Sequence, residues 1–84
     1  MSPDAERIRS FITGHFLFDF DSTVTEHSNL FHLGLIDSYG FVELVSFLES
    51  EFHITFTEDE IVNSSLNTLA NIVEAVRRKT HVHP

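Results

Sequence analysis

Residues 37–52 of the chain read DSYGFVELVSFLESEF, the clearest amphipathic segment in the sequence. Its apolar side chains recur every three or four residues, which is the spacing of one face of an α-helix. The predicted buried stripe consists of Phe41, Leu44, Val45, Leu48 and Phe52. The opposite side carries mostly Val42, Glu43, Ser46, Glu49 and Ser50. The pattern predicts an amphipathic helix that begins at Asp37-Ser38 and ends near Phe52.

Three further helices are predicted around this one. The first spans Pro3 to Thr13, with Ser2 as its cap and Gly14 as its end. Thr57-Glu58-Asp59-Glu60 has the pattern of a capping box and predicts a short third helix. The last helix is predicted from Asn67 to Lys79, where its apolar side chains again share one face.

Between the first two helices, residues 15–37 sustain no helical period. An alternation of aromatic and other residues permits either a short strand or an ordered loop, and it involves Phe16, Phe18 and Phe20. A single strand would have no partner in so small a domain, so we expect a loop held by aromatic anchors. Its second half is expected to be held by Leu30, Phe31 and Leu33, with a turn at Gly34.

The predicted fold class is all-α: a small antiparallel bundle of three longer helices plus one short helix, with a long ordered loop between the first two. Eighty-four residues suffice for one domain, so we expect residues 1–84 to form a single domain. The chain is 42% hydrophobic and has nine Phe, which can supply a core. It has no Cys, which excludes a disulfide framework, a thiolate zinc site and a thiol nucleophile of its own.

Charge is distributed unevenly along the chain, whose formal net charge is −8. All five Lys and Arg residues lie near the ends, whereas residues 10–76 contain eleven Asp or Glu and no Lys or Arg. Such a surface repels nucleic acids and anionic membranes and attracts basic patches on other proteins, although acidity can also serve solubility alone.

The sequence has neither a signal-peptide pattern nor an apolar run long enough for a membrane span, so we expect a cytoplasmic protein.

A possible modification site lies where the long loop meets the second helix. Residues 34–38 read Gly-Leu-Ile-Asp-Ser and have the form G-x-x-D-S. An isolated Asp-Ser before a helix is usually only a cap. Here the motif, the acidic amphipathic helix after it, the helix order and the chain length together resemble the acyl carrier protein family. The resemblance runs from about Glu6 to Arg78 and is strongest from Asn29 to Phe52.

This resemblance implies a function. It implies that 4′-phosphopantetheine, taken from coenzyme A, is esterified to Ser38, and that Asp37 helps to present the site. It also implies a non-catalytic, monomeric carrier of acyl or aminoacyl thioesters in fatty-acid, polyketide or nonribosomal peptide biosynthesis. The implied partners are a phosphopantetheinyl transferase, an adenylating ligase or acyltransferase, and condensing or tailoring enzymes.

The residues after Ser38 differ from those of fatty-acid carriers, which usually have Leu and then an acidic residue. This chain has Tyr39-Gly40, similar to discrete carriers that receive amino acids or specialised acyl groups from an adenylating ligase. We expect Gly40 to let a partner approach the start of the helix closely. The family docks its enzymes on this helix, and that implies contacts through Tyr39, Val42, Glu43, Glu49 and Glu51. For each Glu, a merely solvated face is an equally good interpretation.

Other functional classes fit the sequence less well. An acidic helical adaptor that binds basic protein surfaces without modification remains the alternative. A Ser-His-Asp hydrolase is disfavoured because the chain has no G-x-S-x-G motif. A calcium loop at residues 19–30 is disfavoured because Val24 and Leu30 occupy the positions of its turn Gly and terminal Glu. We expect no metal site.

Overall fold

A computed structural model describes residues 3–80 of the chain, except for the side chain of Ser64. It contains four helices and, within those residues, no strand: α1 (Pro3–Phe16), α2 (Ser38–Phe52), α3 (Glu58–Ser64) and α4 (Leu69–Thr80). Helix α1 packs on α2 and α4, and α4 also packs on α2 and α3. The predicted fold class, three longer helices and one short one, is confirmed. The predicted cap at Ser2 lies outside the described residues.

Helices α2 and α3 begin at the predicted residues because local side chains satisfy their first N–H groups. At α3, Thr57 Oγ1 accepts a hydrogen bond from the Glu60 N–H at 3.1 Å, while Glu60 Oε1 accepts one from the Thr57 N–H at 2.9 Å. This reciprocal pair is the predicted capping box. Helix α2 ends at Phe52, also as predicted, and His53 follows it in the left-handed conformation.

The predicted end of α1 at Thr13 and Gly14 is wrong, because the helix continues through Gly14 to Phe16. A Gly inside a helix costs only about 1 kcal/mol, and packing of the last turn can offset that cost. The His15 ring stacks on the Phe11 ring with 5.0 Å between centroids. Leu17, with φ of 58°, closes the helix in place of Gly14.

Helix α4 begins two residues later than predicted. The Asn67 carbonyl oxygen accepts a hydrogen bond from the Leu30 N–H at 2.8 Å and therefore belongs to the contact with the loop. Thr68 serves as the cap, since its Oγ1 accepts a hydrogen bond from the Asn71 N–H at 3.1 Å. The helix follows from Leu69.

The core lies between α1, α2 and α4 and is closed by the loops. Its fully buried side chains, with less than 2% exposure, are Ile8, Ile12, Leu30, Leu44, Leu48, Leu69, Ile72 and Val76. Of the predicted α2 stripe, Leu44 and Leu48 are buried, and the other three residues are partly buried against the core. One hydrophobic cluster thus joins every helix and the long loop.

Residues 17–37 form an ordered loop, as predicted. Leu30 is fully buried in the core, and the Ala70 N–H donates to the Glu26 carbonyl oxygen at 2.9 Å, which ties the loop to α4. Gly34, with φ of +76°, makes the predicted turn. Leu33 is 49% exposed, so its predicted role as an anchor is wrong. The Phe31 ring instead meets the Phe41 ring edge-on at 5.3 Å and connects the loop to the first turn of α2.

Candidate functional site

Helix α2 begins where the side chain of Asp37 caps it. The backbone of Asp37 is extended, with φ of −102° and ψ of −176°. Its Oδ1 accepts a hydrogen bond from the Gly40 N–H at 2.7 Å, and its carbonyl oxygen accepts one from the Phe41 N–H at 2.8 Å. Asp37 therefore satisfies an N–H group that has no partner within the helix. This cap fixes Ser38 as the first helical residue.

The hydroxyl of Ser38 is accessible for chemistry. The residue is exposed, and within residues 3–80 its hydroxyl forms no hydrogen bond. In the same part of the chain, the backbone N–H groups of Ser38 and Tyr39 have no acceptor. Free N–H groups and the positive end of the helix dipole favour a negative charge at this position. The arrangement suits a phosphoester on the Ser38 oxygen.

Gly40 has a different role from the one predicted, because it is buried under the protein's own Phe16. A Cβ atom at position 40 would lie 2.6 Å from Cε1 of Phe16, a distance that real Cβ atoms do not tolerate. The expectation that Gly40 admits a partner is therefore wrong. The close approach that requires a glycine occurs within the chain, between the end of α1 and the start of α2.

The contacts between α1 and α2 continue along both helices. The Phe11 ring stacks on the Phe47 ring with 3.9 Å between centroids and 7° between planes. His15 Nε2 lies 3.0 Å from Glu43 Oε1. Residues 11, 15 and 16 of α1 thus meet residues 47, 43 and 40 of α2, which makes the two helices antiparallel.

The sequence prediction places neither His15 nor Phe16 in the site, because it ends α1 before them. Phe47 lies within the predicted α2 but outside its predicted buried stripe. A signal was nevertheless present. Phe11, His15 and Phe16 are aromatic or imidazole side chains separated by four and one residues, which places them near one another at the end of a continuous helix. A helix continued through Gly14 would have predicted this group.

Two of the residues predicted to contact partners form an uncharged exposed row on α2. Tyr39 is 73% exposed and Val42 is 61% exposed, and Ser46 is exposed one turn later. These positions follow each other by three and four residues and so share one face of the helix. The row starts immediately after Ser38.

The three predicted acidic contacts each have a partner within the chain. Glu43 contacts His15, as described above, and Glu51 Oε2 lies 2.9 Å from Arg7 Nη1 at the surface. Glu49 Oε2 accepts a hydrogen bond from the Phe56 N–H at 2.8 Å. The carboxylate of Glu49 therefore stabilises the connection between α2 and α3, whatever else it does.

The described residues 3–80 include no cluster of three metal-binding side chains. No helix among them is long and apolar enough to cross a membrane. The Ser38 hydroxyl fits a covalently attached phosphate group by its exposure, its lack of hydrogen bonds within residues 3–80 and the free N–H groups beside it.

Comparison with known proteins gives matches that cover most of the chain. Residues 19–76 match a family model described as a phosphopantetheine attachment site. The chain is 36% identical over 76 residues to a D-alanyl carrier protein of Streptococcus suis (strain 98HAH33), covering 90% of this chain and 94% of that protein. It is 37% identical over 65 residues to a D-alanyl carrier protein of Streptococcus pyogenes serotype M5 (strain Manfredo), covering 77% and 82% respectively. No solved structure matches the chain.

The match includes the G-x-x-D-S motif and all of α2, and it extends into α4. It confirms the family that the sequence resembles and, with it, the covalent 4′-phosphopantetheine. Members of this family work with partner enzymes such as transferases and ligases. The chain therefore belongs to the phosphopantetheine-binding carrier proteins, which tether acyl or aminoacyl intermediates as thioesters.

Proposed function

We propose that this protein carries a small aminoacyl group, of the D-alanyl class, on a phosphopantetheine arm esterified to Ser38. The observation that supports the attachment residue is the exposed Ser38 hydroxyl, free of hydrogen bonds at the capped start of α2. Two observations support the cargo: similar proteins are named D-alanyl carrier proteins, and the residues after Ser38 depart from the fatty-acid pattern.

Ser38 and the residues beside it have separate roles in the proposed modification. The Ser38 oxygen forms a bond to the phosphorus that carries the pantetheine arm of coenzyme A, and the Ser38 proton passes to the transferase. The pyrophosphate P–O bond of coenzyme A breaks, and adenosine 3′,5′-bisphosphate leaves. Asp37 holds the first turn of the helix in place, and the free N–H groups of Ser38 and Tyr39 favour the new negative charge. The attached group supplies a terminal thiol, the nucleophile that a chain without Cys cannot provide itself.

We propose three kinds of partner. A phosphopantetheinyl transferase modifies Ser38, an adenylating ligase (rather than an acyltransferase) loads the cargo, and downstream condensing or tailoring enzymes receive it. The proposed docking contacts are the exposed row of Tyr39 and Val42 together with the carboxylates of Glu43, Glu49 and Glu51 on the same helix. The closeness of the row to Ser38 in sequence and on the helix supports this assignment.

We further propose that the protein acts as a non-catalytic, monomeric carrier in the cytoplasm, with residues 1–84 as one domain. The continuous hydrophobic cluster of the described helices supports the single domain. The proposed reactions use coenzyme A and an adenylating enzyme, which supports the location.

Incubation with coenzyme A and a broad-specificity transferase separates a carrier from an unmodified adaptor. We expect the intact mass to increase by one phosphopantetheine and a maleimide reagent to detect one thiol, since the chain has no Cys. An unchanged mass with no reactive thiol would favour the adaptor.

A further inference from the structure

The contact between Phe16 and Gly40 lies two residues from the proposed attachment site. An ideal Cβ at position 40 would be 2.6 Å from Cε1 and 3.2 Å from Cζ of Phe16, and 3.2 Å from Oδ1 of Asp37. The space that a side chain at position 40 would need is thus taken by a ring from α1 and by the carboxylate that caps α2. Both the Phe16 ring and the Asp37 carboxylate therefore pack against Gly40.

The inner side of the first turn of α2 contacts aromatic rings. Ser38 and Tyr39 are exposed, whereas Gly40 is buried and Phe41 is partly buried. Phe41 meets the Phe31 ring of the long loop. The turn that presents Ser38 is therefore held between two aromatic rings, one from the loop and one from α1.

The end of α1 is a firm support for Phe16. One turn further along α2, His15 Nε2 contacts Glu43 Oε1 at 3.0 Å, and beyond it Phe11 stacks on Phe47. Phe16 also packs edge-on against His15 and Phe11, with centroid distances of 4.8 and 6.4 Å. The side chains of His15 and Phe11 therefore restrict the position of the Phe16 ring on Gly40.

From this geometry we propose that Phe16 is a positioning residue for Ser38. Its ring, seated on Gly40, fixes the first turn of α2 so that the Ser38 hydroxyl meets a partner's active site in the reactive orientation. This inference rests on the proposed attachment at Ser38. It assigns a role in the modification reaction to a residue of α1, which lies outside the α2 docking surface.

Substitution of Gly40 by Ala tests the proposal. The new methyl group would lie 2.6 Å from Cε1 of Phe16 and 3.2 Å from Oδ1 of Asp37, so the Phe16 ring and the first turn of α2 must move apart. The helix gains propensity from Ala, so we expect the variant to stay folded with a melting temperature near that of the wild type. We expect kcat for transfer of phosphopantetheine to fall by about tenfold to a hundredfold, with KM little changed, because the hydroxyl is misplaced while the exposed row is intact.

A second substitution should restore the rate. Leu at position 16 lacks the atoms that correspond to Cε1 and Cζ, so in the F16L/G40A variant it leaves room for the methyl group added at position 40. We expect F16L/G40A to recover most of the kcat lost in G40A. We expect F16L alone to be slower than the wild type, because it leaves a gap above Gly40.

Gly14→Ala is the matched control, since Gly14 is also a helical glycine and nothing lies within 4 Å of the added Cβ. It should retain the wild-type kcat. The proposal is overturned if G40A has the wild-type kcat, or if F16L/G40A is no faster than G40A. A wild type that is never modified would instead contradict the attachment at Ser38, so the two failures are distinguishable.

Discussion

At the scale of single residues, similar carboxylates on α2 have different physical roles. Glu49 accepts a hydrogen bond from the backbone of Phe56, a buried residue, whereas Glu51 pairs with Arg7 at the surface. A buried donor without an acceptor is costly, but an exposed ion pair contributes little. The sequence treats both residues alike as acidic positions on one helix. Only the fold reveals which of them the protein needs for stability.

Replacing Glu49 by Ala should therefore lower the free energy of unfolding by about 1–3 kcal/mol, because the Phe56 N–H loses its acceptor. Glu49→Gln keeps an acceptor oxygen and should lose less. As a control, Glu51→Ala should cost only about 0–1 kcal/mol. Urea unfolding of the three variants measures these differences, and equal losses for Glu49→Ala and Glu51→Ala would refute the structural role of Glu49.

Val42 belongs to the same scale, since its side chain is 61% exposed and contributes little to the core. If the exposed row of α2 is the docking surface, Val42→Asp should raise KM for the loading ligase and leave the free energy of unfolding unchanged. Ser46→Asp adds the same charge to the same row one turn further from Ser38 and should raise KM less. Steady-state loading kinetics with unchanged KM for Val42→Asp would exclude this docking surface.

At the scale of helices, local caps predict the starts of α2 and α3 correctly, whereas the predicted end of α1 and the predicted start of α4 are wrong. The caps at Asp37 and Thr57 are local patterns, so α2 and α3 begin where the sequence predicts. The end of α1 depends on contacts of His15 and Phe16 with α2, whose residues are distant in sequence. The G-x-x-D-S motif alone predicts Ser38 as the attachment residue. The contact between Phe16 and Gly40 is visible only in the folded structure.

An ion pair between Lys79 and Glu60 connects helix α3 to α4. Lys79 Nζ lies 2.6 Å from Glu60 Oε2. This ammonium group, followed by the Thr57 N–H, holds the pKa of Glu60 below its ordinary value. A lowered pKa means that the contact stabilises the fold above the unfolded-state pKa of Glu60, and that this contribution is lost as the pH falls through the lowered folded-state pKa.

Lys79→Gln should consequently raise the pKa of Glu60, as measured by a carboxyl-carbon NMR titration. Arg78→Gln also removes a cation from α4, but Arg78 contacts Glu74 rather than Glu60. It should leave the pKa of Glu60 close to that of the wild type. The same pKa in the wild type and in Lys79→Gln would show that the ammonium group does not stabilise the ionised carboxylate.

At the scale of the whole molecule, the dominant feature is a net charge of −8 with no Lys or Arg between residues 10 and 76. A partner with a basic surface is attracted over distances comparable to the Debye length. Because carriers of this family work with partner enzymes, we expect the charge to attract them. Glu51 still contributes to this long-range field, although the guanidinium of Arg7 beside it reduces its contribution.

Raising the ionic strength should therefore slow loading by the ligase. Between about 0.01 M and 1 M salt the Debye length falls from about 30 Å to 3 Å, so we expect KM to rise while kcat changes little. An uncharged solute at equal osmolality controls for water activity and should have no such effect. A KM independent of salt would mean that the acidic surface serves solubility alone.

The most direct test of the central claim is tandem mass spectrometry of the protein after incubation with coenzyme A and a phosphopantetheinyl transferase. We predict that the modification is found on Ser38 alone, that Ser38→Ala abolishes it, and that Ser46→Ala, at an exposed serine of the same helix, does not. Modification at another residue, or a Ser38→Ala variant that still gains the group, would contradict the account.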